Sequence, residues 1–169
     1  LAEQRALAVA AVGLNDPGNL GTLIRSGYAF GAQALFALEG STDPFHPKVL
    51  RASAGHMLRA VSGSWKEIRR ACTQHGVEVL GLEAAPLSDA QEGADQVPQP
   101  SMAAPAVPLD ELTRAPGKAA VLCVGSEGRG FPEHVCEFDR RVSIPMRGGA
   151  ESLNAGVAGS LALWHLRRG

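Results

Sequence analysis

The chain of 169 residues lacks most of the features that announce a special environment. Its three cysteines, Cys72, Cys123 and Cys136, lie far apart and form no C-x-x-C pair, which excludes a disulfide framework or zinc finger and points to a reducing compartment. Positive charge is not in surplus: 16 basic against 17 acidic residues leave a net charge of -1, so any contact with RNA or DNA has to be local. No apolar run approaches the roughly 20 residues of a membrane helix. The opening LAEQRALAVAAV has no basic leader and cleavage site, so the chain reads as soluble and cytoplasmic, an organellar matrix being the alternative. Its 20 glycines and 11 prolines follow no G-X-Y period and no repeat, which excludes collagen and solenoids. The five histidines, His46, His56, His75, His134 and His165, show no H-x-x-x-H spacing and no paired carboxylates, so no metal is expected. Hydrolase chemistry finds neither G-x-S-x-G nor a cysteine placed with a histidine.

What is present suits one compact domain: 45% hydrophobic residues, in a length too short for two independent cores. Because the sequence starts at Leu1 rather than Met, a preceding domain is left open. Leu7 to Val12 is an apolar run ending in the turn cluster GLNDPGN and reads as a first strand buried on both faces. Asn19 is placed to cap a helix whose apolar positions Leu20, Leu23, Ile24 and Gly27 recur at helical spacing and which closes near Gly31. Further strands are expected at Ala34 to Leu38, Val77 to Leu82, Ala119 to Val124 and Arg141 to Ile144. Between them lie mixed helix and loop after Pro47, an amphipathic helix over Trp65 to His75, and a short helix from Pro132. From Ala84 to Pro116 the pattern dissolves into a proline-rich surface loop, with a mobile insertion the plainer reading. The last helix carries a stripe of Leu153, Val157, Leu161 and Trp164, with small residues Ala155, Gly156, Ala158, Gly159 and Ser160 elsewhere, which would let another backbone approach closely. Trp164 and Phe30 are expected in the core. The alternation predicts an α/β fold with a mainly parallel sheet flanked by helices.

Chemistry has three places to sit. In DPGNLGTLIRSGYAFGA (16–32) a glycine turn feeds a helix start that would favour an anion, although in isolation a capped helix with a solvent-facing Arg25 is the plainer reading. In VGSEGRGFP (124–132) a strand runs into a glycine loop carrying Glu127 and Arg129. That loop superficially resembles a nucleotide-binding turn, but a dinucleotide fold wants it after the first strand. In VSIPMRGGAESLNAGVAG (142–159), Ser152 and Asn154 open the last helix, where such residues are usually only caps.

Taken in order, N-L-G-T-L-I-R (19–25), G-S-E-G-R-G (125–130) and I-P-M-R-G-G-A-E-S-L-N (144–154) resemble the three signature motifs of the SpoU/TrmH branch of the SPOUT superfamily, RNA ribose 2'-O-methyltransferases. The likeness runs from Leu7 to Leu166 apart from the proline-rich stretch. It implies a C-terminal trefoil knot, S-adenosylmethionine bound in the knot, an RNA substrate (rRNA or tRNA), and a homodimer with its sites at the interface. By the matched motifs, Gly125, Glu127, Gly128, Ile144, Met146, Ser152, Leu153 and Asn154 would line the cofactor pocket, and Arg25, Asn19, Glu127, Ser152 and Asn154 would be the catalytic set. Ala155 and Gly156 depart from the valine and serine more typical after the SLN. Many relatives carry a small N-terminal RNA-binding domain for which this chain has no room; Arg51, Arg59, Arg129 and Arg147 are its own candidate RNA contacts, though solvated arginines are the commoner case. Two rivals remain, a non-catalytic RNA-binding or assembly factor that keeps the fold, and a nucleotide-dependent oxidoreductase resting on the 125–130 loop.

Overall fold

A computed structural model describes residues 6–83, 105–114, 117–126, 130–135, 137–146 and 152–167. The elements run β1 (Leu7–Ala11), α1 (Pro17–Ala29), β2 (Ala34–Ala37), α2 (Pro47–Ala52), β3 (Arg59–Ser62), α3 (Trp65–Gln74), β4 (Glu78–Glu83), β5 (Val107–Pro108), β6 (Ala120–Val124), β7 (Arg140–Ser143) and α4 (Ala155–Leu166). Among the described residues seven strands form one sheet in the order β3-β2-β1-β6-β4-β7-β5, every neighbouring pair parallel. The expected parallel α/β architecture is what forms.

Its physical cause is visible in β1, an unbroken apolar run with every residue buried. Leu7, Val9 and Ala11 face one core with Leu20, Leu23, Ile24 and Leu163. The alternate residues Ala8, Ala10 and Val12 face a second core with Trp65, Cys72 and Val77. Period-two alternation with apolar residues on both sides needs helices on both sheet faces, and crossover connections then make the strands parallel.

Five elements differ from the sequence expectation. The segment after Pro47 contains the edge strand β3, whose pattern RAVS is largely exposed and gave no burial signal. The 84–116 stretch is not simply a surface loop: residues 84–104 and 115–116 lie outside the described ones, but β5 pairs with β7 and Leu109 and Leu112 are buried. Within it, Arg114 donates to the carbonyls of Leu166, Ala6 and Lys118, and the His165 ring bonds the Leu112 carbonyl at 2.7 Å, tying this segment to both ends of the domain. Instead of a helix, Pro132 opens a turn closed by the Val135 N–H on the Pro132 carbonyl. Trp164 is 42% exposed, so it belongs to the surface, while Phe30 packs half-buried against the core. Asn19 is not the cap of α1; Asp16 is, with Pro17 in the first turn.

The last helix turns its small side to the protein. A Cβ on Gly159 would lie 2.5 Å from Leu23, and one on Gly156 would lie 3.1 Å from the Asn19 carbonyl oxygen, so α1 and α4 touch almost backbone to backbone. The two run side by side in the same direction, with Asn19 against Asn154, Ser26 against Ser160 (2.6 Å) and Phe30 near Arg167. The stripe Val157, Leu161 and Trp164 consequently faces outward, at 46%, 43% and 42% exposure. Cys72 and Cys123 are unpaired and buried, and burial pushes both thiols up in pKa. Among the described residues no helix is long and apolar enough to cross a membrane.

Candidate functional site

In a parallel sheet, ligands gather beyond the carboxyl ends of the strands where the strand order reverses. Here that place is between β1 and β6, since β2 and β3 lie to one side and β4, β7 and β5 to the other. Three segments meet around it, the turn after β1 with the start of α1, the loop after β6 and the start of α4, while the segment after β7 packs against the same core through Ile144.

Local chemistry builds each wall. The Asp16-Pro17 pair starts α1, and the Asp16 carboxylate accepts the Asn19 N–H at 2.8 Å. A carboxylate thus already satisfies this helix mouth, and Pro17 has no N–H to offer, so the mouth is not built for an anionic ligand. One turn in, the Asn19 side-chain oxygen accepts a hydrogen bond of 2.7 Å from the Asn154 amide. Asn154 in turn caps α4, its own oxygen accepting the Val157 N–H at 3.1 Å. One pair of side chains therefore fixes two helix starts to each other. Exposed Ser152 and half-buried Leu153 precede that cap.

Beyond β6, Ser126 and Gly130 form an antiparallel bridge, the Gly130 N–H donating to the Ser126 carbonyl at 3.1 Å. A Cβ on Gly125 would sit 2.8 Å from the Gly130 oxygen, so only glycine lets the loop close. Of the sequence-derived candidates, Glu127, Gly128, Arg129 and Arg147 lie outside the described residues. After β7, Ile144 and Met146 are half-buried, and Ile144 packs against the core that contains Ala155 of α4.

Arg25 is not brought to Asn19. Six residues on, it is rotated by about 240° and displaced by about 9 Å along the helix. It is exposed and makes no hydrogen bond or ion pair with the described residues. Near it on α1, Tyr28 is exposed and stacks on His56 with ring centroids 4.6 Å apart. Arg51 and Arg59 are exposed. Among the described residues no three His, Cys, Asp or Glu side chains are grouped to hold a metal.

Sequence reasoning missed a cleft of about 530 Å³ opening beside Asn19, lined among others by Asn15, Asp16, Glu39, Ser126 and Phe131. The Asp-Pro pair before Asn19 was a legible signal for the cap and for this wall. Glu39 carried none, since a lone acidic residue after a strand is ordinary.

The comparisons with known proteins agree with one another. The model of the SpoU rRNA Methylase family matches residues 6–164. The chain is 32% identical over 160 residues to "23S rRNA (guanosine(2553)-2'-O)-methyltransferase RlmP" of Bacillus subtilis, covering 91% of this chain and 55% of that protein. It is 33% identical over 167 residues to an "Uncharacterized tRNA/rRNA methyltransferase" of Mycolicibacterium gilvum, covering 96% of this chain and 46% of that one. It thus spans about half the length of the curated relatives it matches. Among solved structures, the AdoMet-bound rRNA methyltransferase of Sinorhizobium meliloti superposes with a TM-score of 0.80 at 28% identity, over 99% of this chain and 57% of that one.

Proposed function

Since the chain belongs to the SpoU rRNA methylase family, we propose that it is the catalytic domain of an S-adenosylmethionine-dependent methyltransferase acting on a ribose 2'-hydroxyl of structured RNA, ribosomal or transfer. The observation that carries this reading is the Asn154 to Asn19 bond, which binds the first and third sequence motifs into one wall beside the loop that starts at Gly125. The RlmP relative, named for 2'-O-methylation of an rRNA guanosine, supports the choice of a ribose hydroxyl.

The residues present suit the cofactor. The loop end at Gly125 has no room for a Cβ because the Gly130 backbone packs directly on it, which holds the two ends of this glycine loop together beside the start of α1. Ile144, Met146 and Leu153 offer half-buried apolar surface for an adenine ring, and Asn154 and Ser152 offer polar groups at the helix start. Gly125, Gly128, Ile144, Met146, Ser152, Leu153 and Asn154 would hold it, together with Glu127. When bound, the cofactor supplies an electrophilic methyl group on a sulfonium.

The protein must then align the hydroxyl with that methyl and ease loss of a very weakly acidic proton. Arg25 is the group for the second task, but as a cation rather than a base, because a guanidinium with a pKa above about 12 holds its proton. Placed beside the oxygen it stabilises developing negative charge and grips the adjacent phosphate with its fork. Within one chain Arg25 points away from the Asn19 wall, so the arrangement calls for a second copy. The outward stripe of Val157, Leu161 and Trp164 on α4, alongside the exposed side of α1, offers the surface for a homodimer that brings Arg25 of one copy to the site of the other.

The proposal extends to the chain path. β4 lies between β6 and β7, both later in sequence, a placement that supports a trefoil knot formed by the C-terminal segment. The whole chain serves as the catalytic domain, with residues 105–114 of the proline-rich stretch built into its sheet and core, and a separate substrate-binding domain would belong outside it.

The test is transfer of methyl groups from S-adenosylmethionine to bulk rRNA and tRNA, followed by digestion and mass analysis of the nucleosides. A 2'-O-methylnucleoside formed by the wild type and lost in Arg25→Ala supports the reading. Base-methylated nucleosides would refute the ribose assignment, and RNA binding without any transfer would favour the non-catalytic factor.

A further inference from the structure

The flank of α1 that faces away from α4 carries an exposed pair of aromatic rings. Tyr28, 55% exposed, lies against the His56 imidazole with ring centroids 4.6 Å apart and planes 13° from parallel. Nine residues past Asn19, it sits about 13 Å farther along the helix and about 180° around it. Asn19 and Ser26 are the residues that bond α4, so the ring pair belongs neither to the Asn19 wall nor to the apolar stripe of α4. Neither residue falls within the three sequence motifs.

Packing holds the pair in place. A Cβ on Gly21 would clash with that of Ala52 and lie 3.0 Å from the Ser53 nitrogen, and one on Gly27 would lie 3.0 Å from Leu58, so these glycines seat the 52–58 segment directly on α1. Within that segment Ala54 takes a left-handed φ of 54°, a conformation that residues other than glycine rarely adopt. The Gly55 N–H donates to the Leu50 carbonyl at 3.0 Å and the His56 N–H to the Ser53 carbonyl at 3.1 Å, which fixes the turn that presents the imidazole. The imidazole covers one face of the phenol, and the exposure that remains belongs to the opposite face and the rim. A ring set in this way has little side-chain freedom left to lose when a flat ligand stacks on it.

Charge around the pair is mainly of one sign. Of the 16 basic and 17 acidic residues, five and two fall within residues 17–66, leaving 11 and 15 elsewhere. The two acids are engaged with backbone, Glu39 accepting the Trp65 N–H and Asp43 the Phe45 N–H. Arg25, Lys48, Arg51 and Arg59 are exposed, and Arg25 lies one turn before Tyr28 on the same side of the helix. Exposed rings ask for a π-face and the cations ask for phosphates. An unpaired nucleotide offers both, whereas a base inside a duplex has its faces covered by its neighbours.

We propose that Tyr28 and His56 form a second RNA contact, separate from the methyl-transfer site, on which an unpaired base of the substrate stacks while Arg51 and Arg59 hold phosphates beside it. The RNA that this domain engages is then a loop, bulge or single strand rather than a continuous duplex. The inference rests on the methyltransferase reading for its partner and deepens it by naming the class of RNA.

The experiment follows fluorescence anisotropy of a short oligoadenylate, and of the same strand annealed to its complement, with the wild type, Tyr28→Ala and Tyr28→Phe. Calorimetric S-adenosylmethionine binding and sedimentation are recorded on the same samples. Tyr28→Ala is expected to bind the single strand about tenfold more weakly, the scale of one lost base–aromatic stack, with duplex binding, cofactor affinity and mass in solution unchanged. Tyr28→Phe keeps the ring and should keep the affinity. Tyr28 is the one tyrosine of the chain, so its ring signals in nuclear magnetic resonance are unambiguous, and they should move upfield as the single strand binds. Arg51→Ala should instead reduce the salt slope of binding by about 0.7, the share of one phosphate contact on a single strand. Unchanged affinity in Tyr28→Ala, an unmoved tyrosine signal, or an equal loss for the duplex would overturn the inference. So would a shift of Tyr28→Ala towards monomer, which would assign the rings to a contact between copies. S-adenosylmethionine bound by the wild type would leave the methyltransferase reading standing whatever the RNA titrations give, whereas its absence would count against that reading instead.

Discussion

The Asn154 side-chain amide donates to the Asn19 side-chain oxygen over 2.7 Å, joining the first turns of two helices whose partners in this bond are 135 residues apart in sequence. Because Asn154 also caps α4, a single side chain fixes both the start of that helix and its distance from α1.

Removing this side chain therefore has two separable costs. Asn154→Ala is expected to destabilise the fold by about 1 kcal/mol through the lost cap. Asn19→Ala should cost less, since its backbone N–H keeps its Asp16 partner. In a double-mutant cycle by urea denaturation the two should couple by about 0.5 kcal/mol or more; strict additivity would mean the bond contributes nothing.

Arg25 has a predicted kinetic signature. Arg25→Ala is expected to lower the rate of methyl transfer by about a hundredfold or more, the scale for removing one group that stabilises an oxyanion, with S-adenosylmethionine affinity unchanged. Arg25→Lys keeps the charge and loses the fork, so its rate should fall between the two. Undiminished turnover by the lysine variant would contradict the role given to the guanidinium.

On α4, Leu161→Arg and Trp164→Glu place charges within an exposed apolar stripe. Sedimentation should report a dimer for the wild type and a shift towards monomer in both variants, accompanied by loss of methyl transfer, because Arg25 would no longer reach the neighbouring site. Variants that remain fully dimeric would move the interface elsewhere.

Arg114 links three carbonyls, those of Ala6, Lys118 and Leu166. Arg114→Met keeps the stem but strands the Leu166 carbonyl and leaves that of Lys118 to water, while the Ala6 carbonyl keeps the Ala120 N–H; charged hydrogen bonds contribute about 1.5–3 kcal/mol each. A loss of about 3 kcal/mol in unfolding free energy is expected, too large for an ordinary surface arginine. A loss below half that would show that water replaces the guanidinium easily.

How much of this was legible follows from the kind of signal each element carries. Buried strands such as Leu7–Ala11 and Ala120–Val124 are apolar on both faces, and their runs stand out in the sequence. Edge strands do not: Arg59–Ser62 is mostly exposed and Val107–Pro108 is two residues long, so their pairing is set by tertiary neighbours alone. The stripe on α4 was visible as a stripe, but its direction was not. Helical spacing says which residues share a face and leaves open which face is buried, and the glycines at 156 and 159 decide it by letting α1 approach. Among the motifs, Asn19 and Asn154 were readable as polar residues at helix starts, yet their mutual bond spans the whole chain and no local pattern encodes it. Asp16, not Asn19, is the cap because the proline after it starts the first turn three positions earlier than the apolar periodicity implied. The Glu39 and Phe131 walls come from separate strand ends and meet only through the sheet order.

The central claim is that the Gly125 loop, the Ile144 to Met146 segment and the start of α4 together form a cofactor site. Calorimetric titration of S-adenosylmethionine into the wild type and into Asn154→Ala tests it most directly, with circular dichroism recorded to establish that both are folded. The account predicts micromolar binding by the wild type, weakened about tenfold or more in the variant as the start of α4 loses its anchor. A folded wild-type protein that binds no S-adenosylmethionine, or binds it equally well with alanine at 154, would contradict the account.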